Sequence, residues 1–291
     1  MKKKKIQLFD VVIYSVATIL LILVLYPLIL VVFNSISDPG LVAAGKVIFV
    51  PKGINLDGYV EFFKDKDILV GYGNTFFYTI FGTCINLLVT VPAGYALSKS
   101  TLPGKSIFMT MFMFIMYFSG GMIPLFLVVN KLGLYNTRWI LLILGAFSTY
   151  NCIICRSFFG AMPRDIEEAA EIDGCRPMMI FMKIILPLSK SLLGVMVLYF
   201  AVGHWNSYFN AMIYIREDAM QPLQVFLRRI LILAQTAADS EMGAEVDLSV
   251  LDREILLRYS SIVVSSLPLL IIYPFLQKYF DKGVLIGSVK G

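Results

Sequence analysis

Glu167, Glu168, Glu171, Asp173 and Arg176 fall within ten consecutive positions, in the stretch EEAAEIDGCR. Charges this dense could hold a metal, move protons or face a charged partner. Metal binding and acid–base work need His, Cys or opposed carboxylates in a fixed arrangement. The one histidine, His204, has no carboxylate or cysteine near it in sequence, so it makes neither a metal site nor a triad. Cys152 and Cys155 have redox-motif spacing, but they sit in an apolar run and no second pair completes a zinc site. They are read as packing thiols. Gly40-Leu-Val-Ala-Ala-Gly45-Lys46-Val47 nearly spells a phosphate-binding loop, yet Val47 stands where a hydroxyl should hold magnesium. The sequence therefore offers no catalytic residue, no metal ligand and no nucleotide site. Recognition of a partner is what remains for the charged stretch.

Its local chemistry predicts a shaped surface. Pro163 suits a first helical turn, where its missing N–H costs little. Asp165, Glu167 and Glu168 then fall at the positive end of that helix. Ile166, Ala169, Ala170 and Asp173 continue it, and Gly174 can stop it in a left-handed turn. Pro177 opens a second short helix to Ile185, and Leu186-Pro187 marks entry to the next apolar run. The bland alternative is a solvated loop.

The elements around this unit are made for lipid. Of the 291 residues, 58% are hydrophobic and 15% charged, against about a quarter charged in soluble domains. Mean hydropathy is +0.78. Six apolar runs approach the roughly 20 residues that span a bilayer: 11–34, 74–98, 107–129, 139–158, 188–210 and 259–280. None contains Asp or Glu. Backbone groups in lipid must pair internally, so each run is expected to be helical. The lysines at 2–5 followed by a long run read as a retained first span, not a cleaved signal. Six spans with Lys2–Lys5 inside leave 14 of the 25 Lys and Arg and 7 of the 20 acids on the cytoplasmic side, in accord with the positive-inside rule. The net +5 therefore reflects topology, and no nucleic-acid partner is expected.

This gives a cytoplasmic terminus 1–10, a membrane domain 11–280 and a cytoplasmic tail 281–291. The outer loops are 35–73 and 211–258, and the charged inner loop is 160–187. In the second outer loop Pro222 suits a helix start, with Leu223, Phe226, Leu227 and Ile230 on one face. Polar groups inside spans are expensive and lean functional, which makes His204, Asn206 and Asn210 candidates for lining a path. Trp205 and Tyr208 suit an interfacial aromatic belt. Pro27, Pro92, Pro124, Pro268 and Pro274 interrupt spans and can kink them.

Glu168-Ala169-Ala170, three residues, Gly174, nine residues, then Ile184-Ile185-Leu186-Pro187 resembles the EAA loop of ABC importer permeases. Flanking MPRDIEEAAEIDG (162–174), GYALSK (94–99), NLDGYVEFF (55–63), Trp205-Asn206 and GSVKG (287–291) resemble the carbohydrate branch, in particular the smaller permease of maltose-type importers. Cys175, where Ala is usual, and Ser191, where many relatives have Pro, are departures. The resemblance implies an all-α integral membrane fold with six transmembrane helices, the type I ABC importer permease fold, and a cytoplasmic coupling helix pair. It implies ATPase coupling through Glu167, Glu168, Ala169, Ala170, Asp173, Gly174, Ile184, Leu186 and Pro187. It further implies ATPase contact by the tail Gly287, Ser288, Val289, Lys290 and Gly291, and approach of the 237–252 loop to a docked binding protein. The implied partners are a second homologous permease subunit, two ATPase subunits, an extracytoplasmic solute-binding protein, a sugar or oligosaccharide, and membrane lipid. Mg-ATP would be bound by the ATPase subunits, and no cofactor by this chain. The 216–258 segment is similar to the subgroup serving oligosaccharides from complex polysaccharides. Three rivals stand beside this reading: an ion-coupled secondary transporter using broken-helix carbonyls, a membrane enzyme, disfavoured because no paired carboxylates, metal cluster or triad appears, and a non-transporting membrane adaptor.

Overall fold

The apolar runs do form helices. The computed structural model describes residues 8–240 and 248–288, with side chains for 9–232, 252–274 and Gln277. In chain order the helices are α1 (Leu8–Ser35), α2 (Pro39–Ala43), α3 (Asp57–Lys64), α4 (Lys66–Ser98), α5 (Lys105–Tyr117) and α6 (Met122–Lys131). They continue with α7 (Arg138–Ile143), α8 (Thr149–Gly160), α9 (Asp165–Ile172), α10 (Pro177–Ile180), a π-helical turn (Phe181–Ile185) and α11 (Leu186–Leu188). Last come α12 (Lys190–Trp205), α13 (Phe209–Tyr214), a 3-10 turn (Asp218–Met220), α14 (Leu223–Ser240) and α15 (Leu248–Ser288). No strand occurs among the described residues.

Among the described residues three helical segments, Phe9–Ser35, Lys66–Ser98 and Asp252–Pro274, are long and apolar enough to cross a bilayer. Two bent pairs raise the number of spans to as many as five. Helix α4 begins eight residues earlier than the second apolar run, which shortens the segment between the first two runs. The third run is not one straight helix: α5 and α6 meet at 114°. Ser119-Gly120-Gly121 makes the break, with Gly121 at φ +87. Pro124 sits in the first turn of α6, where its missing N–H costs nothing, so it helps start a helix and kinks none. Pro27 and Pro92 do lie inside helices. The fourth run is divided into α7 and α8 by residues 144–148.

One compact unit comprises residues 1–68 and 227–268. Here α1 is exposed and apolar on all sides, the surface expected of a lipid-facing helix. The chain after it folds back through Ser37, whose hydroxyl accepts from Lys52 N at 3.1 Å. Asp38 caps α2 by accepting from Leu41 N at 3.1 Å. The phosphate-loop lookalike is therefore a short capped helix and a turn at Gly45 (φ +65), with Val47 buried. Ser260 donates to Gly58 O at 3.0 Å, and Arg253 pairs with Glu61.

The other unit comprises residues 69–226 and 269–291. Asn74 of α4 donates to Ala219 O (2.8 Å) and Gln221 O (3.0 Å) and accepts from Arg138 (3.1 Å). Thr75 accepts from Leu223 N at 2.8 Å, which fixes the first turn of α14. Leu223 and Phe226 are buried, as their spacing predicts. Trp205 is buried too, edge-on to Tyr72 and Phe76 at 5.8 and 5.2 Å, so it is a core residue and no part of an interfacial belt. Tyr208 is exposed.

Candidate functional site

The charged stretch forms the helix pair that its residues predict. Asp165, Glu167 and Glu168 occupy the first turn of α9, complementing its dipole. Pro163 lies just before this helix, not inside it, and Arg164 is the cap whose carbonyl accepts from Glu167 N and Glu168 N at 2.9 and 3.0 Å. At the other end Gly174 N donates to Glu171 O and Cys175 N to Ala170 O, both at 3.0 Å. With Gly174 at φ +76, these two bonds make a Schellman motif. Arg176 is extended and caps α10, and Pro177 takes its first position.

The pair is anchored on one side and open on the other. Ala170, Ile180, Phe181 and Ile185 are buried with Val91, Cys155, Phe159, Leu192, Met196 and Phe200. Glu168, Ala169, Asp173 and Gly174 are exposed, as are Ile172 (86%), Met178 (70%), Met179 and Met182. Exposed Ile and Met beside acidic side chains make a surface suited to a soluble partner. Methionine is flexible enough to adapt to an irregular partner face. Glu167 turns inward, half-buried, and pairs with Lys99. Partial burial pulls the Lys99 ammonium down, but hydrogen bonds to Glu167 and Tyr95 outweigh it and leave the ammonium raised. A cleft of about 500 Å³ runs beneath the pair, lined by Lys99, Ser100, Arg164, Glu167, Glu168 and Glu171 among others.

The exit towards the next span is not the plain helix expected. Residues Phe181–Ile185 form a π turn, in which Leu186 N reaches back five residues to Phe181 O. Pro187 follows immediately; it has no N–H to give Lys183 O and would clash with it in an α-helix. The wider turn accommodates that conflict. Ile184 and Leu186 are half-buried and Pro187 is exposed. Ser189 then breaks the chain, and the segments on either side meet at 82°.

The path candidates do not form one group. His204 Nε2 is 2.6 Å from Asn86 Oδ1. Asn206 is exposed and donates to Val202 O at 3.0 Å, and Asn210 is half-buried. Asn86 was not singled out by its sequence neighbours, yet it is the centre of this site. It is 1% exposed, and its amide donates to Gly145 O in the break between α7 and α8. A carbonyl left open by a helix break needs such a donor. Asn86→Leu removes it and also takes the partner of His204 Nε2, leaving His204 its bond to the Gly82 backbone. The expected result is a lower unfolding midpoint in detergent, because the Gly145 carbonyl loses its donor and His204 Nε2 loses its partner; an unchanged midpoint refutes it.

All four cysteines are free, with Cys152 and Cys155 buried as packing residues and Cys84 exposed. No cluster of metal-ligating residues occurs among the described residues. Gly287 and Ser288 end α15, with side chains outside the described residues; Val289, Lys290 and Gly291 lie outside them altogether, as do residues 241–247 of the 237–252 loop, whose remaining residues are the end of α14 and the start of α15.

Comparison with known proteins adds the following. Residues 68–286 match the family described as binding-protein-dependent transport system inner membrane component. The chain is 38% identical over 289 residues to the polygalacturonan/rhamnogalacturonan transport system permease protein YtcP of Bacillus subtilis (strain 168), covering 99% of this chain and 100% of that one. It is 38% identical over 265 residues to Protein LplC of the same organism, covering 91% and 89% of the two chains. Its fold is similar, at a TM-score of 0.84 and 33% identity, to a crystallised bacterial ABC transporter involved in the import of the acidic polysaccharide alginate. That match covers 96% of this chain and 100% of the other.

Proposed function

This chain belongs to the binding-protein-dependent transport system inner membrane components, and we propose that it serves the import of oligosaccharides cut from acidic polysaccharides. Membership makes it the permease subunit of an ABC importer in the inner membrane, a transport subunit and not an enzyme. An ATPase and a binding protein are its partners. In the finer reading a second homologous permease pairs with it, two ATPase subunits bind Mg-ATP below, and both termini are cytoplasmic. Six spans then cross the membrane, with α5–α6 and α7–α8 each counted as one broken span. The 160–187 loop is the coupling element, docking through the exposed Glu168, Ile172, Met178 and Met182. The tail at 287–291 contacts the ATPases, and His204, Asn206 and Asn210 line the path.

End-to-end similarity to the polygalacturonan/rhamnogalacturonan permease carries the substrate class. The alginate importer, which also handles an acidic polysaccharide, supports it. The absence of Asp and Glu from the apolar runs favours ATP drive over ion coupling. Deleting the chain from its host should abolish uptake of labelled oligogalacturonides and leave glucose uptake unchanged. Undiminished oligogalacturonide uptake in the deletion strain would refute this substrate class.

A further inference from the structure

Covalently, the coupling element joins the membrane spans only at its two ends, near Gly160 and Pro187. The structure adds a third attachment, to a span that is remote in sequence. Tyr95 lies in the last turn of α4, and Lys99 directly follows its end at Ser98. Lys99 pairs with Glu167 of α9, and its Nζ lies 4.4 Å from the centre of the Tyr95 ring. Tyr95 in turn stacks on Phe181, with centroids 4.7 Å apart and planes at 30°. It also meets Phe159 edge-on at 5.5 Å. Two side chains of the second span thus hold both halves of the element: α9 by charge, and the junction after α10 by stacking.

We propose that Lys99 is a positioning residue for transport, transmitting displacement of α9 directly to α4. The pair has the properties such a link needs. Side-chain exposure is 29% for Lys99 and 20% for Glu167, so water screens the pair less than a surface pair. The Tyr95 ring lies 4.4 Å from the ammonium and adds a second favourable contact. Lys99 and Glu167 line the same cleft as the exposed Glu168, so retention of the ATPase subunits is the measurement that separates the link from the docking contact. Beyond it, Lys105 Nζ lies 3.3 Å from the carbonyls of Ser98 and Lys99, tying the next loop to the same helix end. When ATPase closure moves α9, Glu167 carries Lys99 with it, and α4 and the 99–105 loop follow.

The proposal rests on the importer reading and is tested in the assembled complex, reconstituted with its binding protein loaded with oligogalacturonides. Lys99→Met should keep its ATPase subunits in the wild-type ratio, yet lose at least tenfold in stimulation of ATP hydrolysis by the loaded binding protein. Lys99→Arg, which keeps the charge and pairs with carboxylates, should restore most of the stimulation. A second readout needs no sugar. ATP with vanadate should change tryptic cleavage after Lys105 in the wild type and leave it unchanged in Lys99→Met. If oligogalacturonides fail to stimulate the wild type, the substrate class is wrong and the cleavage readout alone decides on the link. Wild-type behaviour of Lys99→Met in both readouts overturns the proposal. So does loss of its ATPase subunits, which would make Lys99 a prop for the docking surface, and so does an arginine variant as impaired as the methionine one.

Discussion

Gly94→Val is expected to leave almost no assembled complex to purify. A β-carbon at Gly94 would lie 2.4 Å from Cys155 Cβ, 3.1 Å from Arg156 N and 3.2 Å from Cys152 O. Two of those three atoms are backbone of α8, so no side-chain rotation relieves the clash. Membrane helices approach this closely through small residues, because lipid provides no hydrophobic drive and packing must provide the attraction. Overpacking a filled core costs about 1–3 kcal/mol where neighbours can shift. Here the shift would have to be of α8 itself, whose Cys152 and Cys155 are fully buried. Helix α8 also ends at Gly160, where the proposed coupling element begins, so any protein that survived would present that element displaced. Gly73→Ala is the control, since nothing lies within 4 Å of its added carbon. Equal yields and unfolding midpoints for Gly94→Val and the wild type would remove the close α4–α8 contact from the account.

Much of the site is legible in the sequence because its signals are local. Acidic residues at a helix start, a glycine at its end and a proline opening the next helix are all read within a dozen positions, and the Schellman geometry at Gly174 follows from them. The amphipathic start of α14 is equally local. The bends are less legible. Hydropathy measures suitability for lipid and says nothing of direction, so the third run reads as straight although Ser119-Gly120-Gly121 supplies a visible break. The π turn is a conflict between Pro187 and the carbonyl four residues before it, a signal present in the sequence but with more than one structural solution. Least legible are the partnerships across the chain. Lys99 and Glu167 are 68 positions apart, Asn86 and His204 118. Nothing in the neighbourhood of Asn86 distinguishes it from a polar residue facing a pore; only the carbonyl exposed between α7 and α8 gives it a reason.

Gly174→Val is expected to spare the membrane domain and abolish transport. At φ +76 a side chain with a β-carbon costs about 1–2 kcal/mol, and a branched one is worse because it also restricts its own rotamers against the backbone. If the turn relaxes instead, the bonds from Gly174 N to Glu171 O and Cys175 N to Ala170 O are lost, at about 1 kcal/mol each. Either route changes the angle between α9 and α10. Nothing lies within 4 Å of the added carbon, so the buried anchors Ala170 and Ile180 are not disturbed and the spans have no reason to respond. The damage falls on the exposed face that carries Ile172 and Met178. Misplacing that face should lower ATPase co-purification at least tenfold, roughly 1.4 kcal/mol or more, and remove sugar uptake in reconstituted vesicles. Gly174→Asn separates strain from bulk. Asparagine tolerates the left-handed turn, so it should keep most of the docking although its side chain is as exposed as the valine. Equal co-purification by the valine variant and the wild type would show that the α9–α10 pair is a solvated loop. Equal loss by valine and asparagine would show that the partner packs directly on Gly174, and that it is contact there, more than the turn, which the glycine serves.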